Sequence, residues 1–306
     1  RSMSSFAVFV GERYEDFEQF SQEIRFTSPQ DQPLAWMVGA YYQEHDLTTS
    51  IQVHLPWTFD IPNFLFGAPP NPANNGFSAI SFGGPLVENS KWTSFFFSTT
   101  LNVSDTFRFN VGGRHQSIEK TGTENPQVAR LPIGGTAFQP LSALGAPVSA
   151  KIDSGDFLPE VGFQWDASDA VMIYAKYSEA VKAGGFVKSP PIGGAVANPF
   201  TYDNEVAEGF EAGIKALLFG GRLVLNASYY DTDFTDLQVT ILNNDNGAFE
   251  TQNAGEAHTT GFEIDGRWAI TDNFSVSIAG SVSEAEYDDY VGPNCNTLDT
   301  KIGPTG

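Results

Sequence analysis

No stretch of the 306 residues comes near the roughly 18 consecutive apolar residues that a membrane-crossing helix requires. A helical membrane protein is therefore excluded, although 41% of the chain is hydrophobic and 26 residues are phenylalanine. Positive charge is also scarce. Against 37 Asp and Glu stand only 16 Lys and Arg, a formal net charge of -21. A surface this acidic repels phosphate backbones, which removes nucleic acid from the candidate partners. Cysteine occurs once, at Cys295 in the turn-rich "YVGPNCNTLDTKIGPTG", so no disulfide can close within the chain. A lone cysteine of an exported protein pairs outside such a segment or stays a free thiol, and the first reading is preferred. The four histidines (His45, His54, His115 and His258) lack metal-ligand spacing, so neither a bound metal nor a cofactor is expected. Nucleophile elbow, phosphate loop and zincin motif are all missing, which argues against an enzyme. Carboxylate pairs such as Asp231 and Asp233 read as solvated loop residues.

What the chain does have is alternation. In "LAWMVGAYYQE" Leu34, Trp36, Val38, Ala40 and Tyr42 make one face. Phe107, Phe109 and Val111 oppose Arg108, Asn110 and Arg114; Leu223, Leu225, Ala227 and Tyr229 oppose Asn226, Ser228 and Tyr230. Phe262, Ile264 and Trp268 oppose Glu263, Asp265 and Arg267, and Phe274, Val276 and Ile278 oppose serines. A period of two with one apolar and one polar face specifies strands.

The connections alternate too. Short turns at 28–33, 102–106, 166–170, 219–221 and 270–273 join strands long enough to cross a bilayer at a tilt, about nine to eleven residues. Between the hairpins lie stretches rich in Gly, Pro, Asn and Asp, at 46–90, 117–155, 180–203, 234–257 and 285–306, which are expected to be long irregular loops. Short turns on one rim and long loops on the other are the layout of an outer-membrane barrel. A soluble sandwich also alternates, but its connections typically run about two to six residues. The expected fold is all-β, an antiparallel transmembrane β-barrel of about ten or eleven strands, the eleventh being a short apolar run at 6–10. Trp36, Tyr42, Trp92, Trp165, Tyr177, Tyr229 and Trp268 lie toward strand ends, as interfacial girdles would.

The stretch "YAKYSEAVKAGGF" fixes the phase. Val171, Ile173, Ala175 and Tyr177 are assigned to lipid, and Met172, Tyr174, Lys176 and Ser178 to the lumen, because a lysine facing lipid at mid-depth costs about 2–4 kcal/mol. Gly184 and Gly185 then mark the exit into a loop, where positive φ is easily met. This stretch resembles the barrel-strand signature Tyr-Ser-x-Gly-Phe-Lys-x-Gly-Gly-Phe of TonB-dependent outer-membrane receptors. "FSQEIRFTSP" with "YYQE", "DNEVAEGFEAGIKALLFGGRLVLNASYYDTDFTDLQV" and "NAGEAHTTGFEID" are similar to further family stretches, so the likeness runs from about residue 20 to 285. Ala180-Val181 departs from the usual Gly-Phe. The resemblance implies a 22-stranded barrel around an N-terminal plug, preceded by a TonB-contacting box. By that comparison residues 1–306 are a partial receptor barrel without plug domain, TonB box or closing strand, short turns being periplasmic and long loops extracellular.

Candidate site residues fall in two groups. Trp57, Phe59, Phe64 and Phe66 in an aromatic loop, with Lys182 and Lys188 beside the glycine pair, are candidates for ligand contact at the rim. Arg108, Arg114, Lys176, Glu211, Lys215, Glu263, Asp265 and Arg267 are candidates for a polar lumen that also contacts the plug, or that satisfies only itself. The resemblance implies active uptake of a scarce ligand across a Gram-negative outer membrane, with the TonB-ExbB-ExbD complex, acting through the plug, and outer-membrane lipid as partners. A ferric siderophore is the first candidate ligand; vitamin B12, heme and oligosaccharides are alternatives. A passive porin-like channel is the second reading, and a secreted carbohydrate-binding β-protein the third.

Overall fold

The structure is a computed structural model and describes residues 10–56, 77–125, 127–132, 139–143, 146–187, 200–243 and 248–290. Ten long strands form one antiparallel path: β1 (Val10–Thr27), β2 (Leu34–Pro56), β3 (Phe77–Ser104), β4 (Phe107–Glu124), β7 (Val148–Ser168), β8 (Val171–Lys182), β11 (Glu205–Leu218), β12 (Leu223–Thr235), β15 (Gly255–Thr271) and β16 (Phe274–Tyr290). Each pairs with its neighbours in chain order, so the sheet is a meander of five hairpins. Short strands decorate the loop side: β5 (Gln127–Pro132) and β6 (Gln139–Ala143), β9 (Gly185–Phe186) with β10 (Thr201–Tyr202), and β13 (Gln238–Asn243) with β14 (Ala248–Asn253). No helix occurs among the described residues.

The register makes the two faces explicit. Leu34, Leu101, Phe109, Phe163, Ala175, Ala212, Tyr229, Phe262 and Val282 are successive partners from β2 to β16. One pleat position away, Thr100, Asn110, Gly162, Lys176, Glu211, Tyr230, Gly261 and Ser283 form an equally continuous polar row. The apolar row is exposed: Leu34 is 50%, Phe109 45% and Phe262 64% accessible. Each such side chain left in water forfeits about 1.5–3 kcal/mol. A face of this kind is stable against hydrocarbon, which makes it the outer wall of a barrel and the polar face its lining.

Aromatic residues grade this outer face. Trp36, Trp165 and Trp268 lie near the short turns, where Phe219 also stacks 6.2 Å from Trp268. Toward the loops Tyr42, Tyr177 and Tyr229 each donate a hydroxyl proton to a carboxylate two residues further up, Glu44 at 2.8 Å, Glu179 at 2.7 Å and Asp231 at 2.8 Å. Amphipathic rings with a wet tip are suited to a membrane surface. Trp92 is a correction to the girdle: its register partners Gln43 and Ile118 place it on the inner face, where Nε1–H donates to Ser90.

The short turns fall where the sequence puts them. At the β11–β12 turn Phe219, Gly220 and Gly221 have φ of 54°, 64° and 88°, so the two glycines take conformations that side-chain-bearing residues rarely adopt. The long loops are a second correction. Much of 46–90, 117–155 and 234–257 is strand, because β2, β3, β4 and β7 continue well past bilayer length and β13–β14 is a separate hairpin, whereas the described part of 180–203 adds only the end of β8 and the short β9 and β10. Beyond the membrane both sides of a strand meet water, so the alternation that marks a strand vanishes while pairing continues between Thr, Ser and charged residues such as Asp16–Thr48, Glu15–Thr49 and Ser149–Thr123. Residues 6–9 and Cys295 lie outside the described residues.

A small buried core sits on the inner face near the loop end. Phe186 and Phe200, from the β9–β10 ribbon, pack with Leu86 against Val148, Ala150 and Ile152. Their rings are 5.4 Å apart.

Candidate functional site

The inner wall collects the chemistry. On β8 and β11 the Lys176 ammonium lies 2.9 Å from the Glu211 carboxylate, which also accepts the Tyr174 O–H at 2.5 Å. Lys215 stands over the Tyr174 ring, 5.5 Å from its centroid. Arg108 meets Asp166 in a two-pronged pair at 2.8 and 2.9 Å and donates to Gln164 as well, a rigid arrangement that fixes the base of β4 and β7. Asp265 accepts from Asn226 at 3.0 Å. Glu263 and Arg267 lie on the same face, at the register of Ser228 and Val224, and both are exposed. Seven of the eight charged residues thus sit along one stretch of the wall, from β4 and β8 to β15.

Arg114 is the exception in character. Its guanidinium carbon is 5.6 Å from the Tyr41 ring centroid and 5.9 Å from that of Phe96, and its Nε has no hydrogen-bond partner. Arg25 reaches the same Phe96 ring at 5.8 Å and pairs with Glu23. These residues line a hollow of about 370 Å³ together with Glu160 and Leu158. Two guanidinium groups around a phenylalanine, with carboxylates on either side, offer π faces, cations and anions to whatever occupies the lumen.

Nearer the loops a second cluster is sealed rather than open. Glu88 lies 3.7 Å from Lys120 and 3.5 Å from His45, each side chain only 12% exposed. Burial pushes the Lys120 pKa down, and Glu88 offsets part of that. Tyr202 on the covering ribbon is pushed up by burial and then by Glu88. The glycine pair explains the cover. Neither Gly184 nor Gly185 has positive φ, which corrects the expectation for them. A Cβ at Gly184 would strike the Tyr202 carbonyl, and one at Gly185 the Tyr202 hydroxyl. The pair lets the chain turn inward and lie against β10, held by Gly184 N–H donating to Asn204 Oδ1 at 2.8 Å.

Among the rim candidates, Lys182 is 3.4 Å from Glu205, with Gln238 and its amide completing a network around the same carboxylate and the Lys182 carbonyl. Trp57, Phe59, Phe64, Phe66 and Lys188 lie outside the described residues. Sequence reading missed the Arg25–Phe96–Arg114 stack, the Glu88 cluster and the grouping of Asp231, Asp233 and His258. Only the first had a signal, Arg25 and Phe96 being on polar-face positions of alternating strands.

Residues 4–302 match the family described as TonB dependent receptor-like, beta-barrel. The chain belongs to that family, whose members are receptors and transporters of the outer membrane rather than enzymes. Among solved structures it is similar to the ferric yersiniabactin uptake receptor FyuA from Yersinia pestis, with 17% identity and a TM-score of 0.68 over 94% of this chain and 38% of that one. The siderophore receptor PiuA from Acinetobacter baumannii matches with 18% identity and a TM-score of 0.61 over 93% of this chain and 40% of its own. At this identity the likeness concerns the fold. The chain spans about two fifths of the length of either receptor.

Proposed function

We propose that this chain is the barrel portion of a receptor for TonB-dependent uptake of a ferric siderophore across a Gram-negative outer membrane. The observation that carries the reading is a wall apolar on one face and ion-paired on the other, in a chain whose family is shown. In this reading residues 1–306 form part of a longer barrel closed around a plug, and further strands cover the edges of β1 and β16, since an unpaired edge in lipid leaves backbone groups unsatisfied at several kcal/mol each. Arg108, Lys176, Glu211, Lys215, Glu263, Asp265 and Arg267 line the lumen, and Arg114 with Arg25 faces the plug. Trp57, Phe59, Phe64, Phe66, Lys182 and Lys188 belong to the ligand-capturing rim. The TonB-ExbB-ExbD complex supplies energy through the plug.

The test is growth under iron limitation of a strain lacking its own siderophore receptors, complemented with the full-length gene and supplied with ferric siderophores of each chemical class. Uptake that vanishes on deletion of TonB supports the reading. Uptake that persists without TonB identifies a passive channel. Uptake of heme, vitamin B12 or an oligosaccharide with no response to any ferric siderophore keeps the receptor and overturns its cargo.

A further inference from the structure

Asp231, Asp233 and His258 are brought together by register alone. His258 is 25 residues from Asp233 and 27 from Asp231 in sequence, yet β15 pairs it with Asp233 of β12 directly, one pleat above Asp231 and Thr260. All three point from the outer face, above Tyr229 and Phe262, where the apolar band ends. Among the described residues they form the one group of three metal-ligating side chains whose ligand atoms all lie within 4.8 Å of one another.

The geometry separates the roles of the two carboxylates. Asp233 Oδ1 is 2.6 Å from His258 Nδ1, a short hydrogen bond that orients the ring. Asp231 Oδ1 is 3.7 Å from Nε2, beyond hydrogen-bond range. Two ligand atoms each about 2.0–2.1 Å from a zinc-class ion stand roughly 3.3–3.6 Å apart at tetrahedral to trigonal angles. A shift of a few tenths of an ångström brings Nε2 and Asp231 onto one ion. A carboxylate on the far ring nitrogen is also what a ligating histidine requires, because it fixes the tautomer that leaves Nε2 bare.

The surroundings favour a cation strongly. Across the next strand Glu286 is the register partner of His258 and Glu284 that of Thr260, with Asp288 in the bulge beside them and Glu256 further along β15. β12 and β16 carry no lysine or arginine beyond the turn, and Arg267 on β15 lies on the other face. The acids alone would hold any divalent ion weakly. The imidazole is what selects a borderline ion over calcium or magnesium.

We propose that His258 Nε2 and Asp231 bind a divalent cation of the zinc class at the outer rim of the wall, with Asp233 as the positioning residue. Water completes the coordination, and the neighbouring acids of β16 add negative field around the ion. The site needs no particular cargo and stands independently of the uptake reading.

Zinc(II) titrated calorimetrically into the full-length receptor in detergent tests this, with His258→Gln and Asp233→Asn alongside and strand content checked by circular dichroism. The expected result is one zinc fewer, or an affinity at least tenfold weaker, in His258→Gln, and a 10- to 100-fold loss in Asp233→Asn. Cobalt(II) added in place of zinc gives visible d–d absorption that His258→Gln abolishes. Equal zinc binding by wild type and a folded His258→Gln overturns the proposal. So does displacement of the zinc by calcium at a similar concentration, which marks a generic acidic surface.

Discussion

Tyr174 on β8 donates its hydroxyl proton to Glu211 on β11 at 2.5 Å while its ring lies across Gly213 and beneath the Lys215 ammonium. One carboxylate therefore serves a phenol and, at 2.9 Å, the Lys176 cation. Gly213 has no alternative at that place: a Cβ there would lie 2.7 Å from both the Tyr174 ring and the Ala227 carbonyl. Glu211→Gln keeps an acceptor for Tyr174 and removes only a half-exposed ion pair, so it costs less than about 1 kcal/mol. Glu211→Leu strands the phenol and both lysines and costs about 1–3 kcal/mol. Denaturant unfolding of the receptor refolded into vesicles checks this, and equal losses for the two variants would contradict the shared-carboxylate account.

Adjacent residues of β16 offer a direct test of which face meets lipid. Ile278 partners Gly266 on the apolar face and is 56% exposed, whereas Ala279 partners Asp265 on the polar one. Ile278→Arg carries a charge into hydrocarbon and destabilises by about 2–4 kcal/mol. Ala279→Arg sets a cation beside Asp265 and changes stability by less than about 1 kcal/mol. Both are read from reversible folding in lipid vesicles. Reversed costs would turn the wall inside out.

How far the sequence foretells this wall depends on depth. Within the bilayer the two faces see oil and water, so Phe107, Phe109 and Val111 against Arg108 and Asn110 already contain strand, phase and face. Above it both faces see water, so residues such as 47–56 of β2 lose their period and resemble loop even though they pair with β1 and β3. The side-chain clusters were harder still. Lys176 and Glu211 could be placed on the same face from alternation, but their contact depends on how β8 and β11 slide past one another, which no local pattern records. Asp233 and His258 meet for the same reason. Gly184-Gly185 was legible as a break and not as a close approach, since the partner that demands it, Tyr202, lies beyond a long connection.

The β9–β10 cover rests on a missing side chain. The Phe186 ring occupies the place of a Cβ at Gly122, about 2.5–2.6 Å from where that atom would stand. Because the obstacle is a ring on a two-residue strand, Gly122→Ala displaces the ribbon rather than β4. Hydrogen exchange at the Val187 amide, which donates to the Phe200 carbonyl at 2.8 Å, reports it. We expect at least tenfold faster exchange there with β4 amides unchanged. Faster β4 exchange or an unaltered Val187 would show that the ribbon is held by something other than this contact.

Lys120 links that cover to pH. Its side chain is enclosed beside Trp92, 5.9 Å from the ring, with Glu88 at 3.7 Å. Burial lowers its pKa below the ordinary 10.5 and outweighs the pull of Glu88. An unfolded chain then holds this proton more tightly than the folded one, so stability rises with pH between the lowered folded value and about 10.5, and the cost of the buried charge is complete below that window. Glu88→Gln removes the carboxylate attraction that opposes burial, drives the pKa lower and widens the window downward. Lys120→Met removes the titration and flattens the profile across it. The lysine Cε chemical shift followed against pH gives the pKa directly, while denaturant midpoints at several alkaline pH values give the linkage. A Lys120 that titrates at or above 10.5, or one indifferent to Glu88→Gln, would mean that the ribbon leaves this corner open to water.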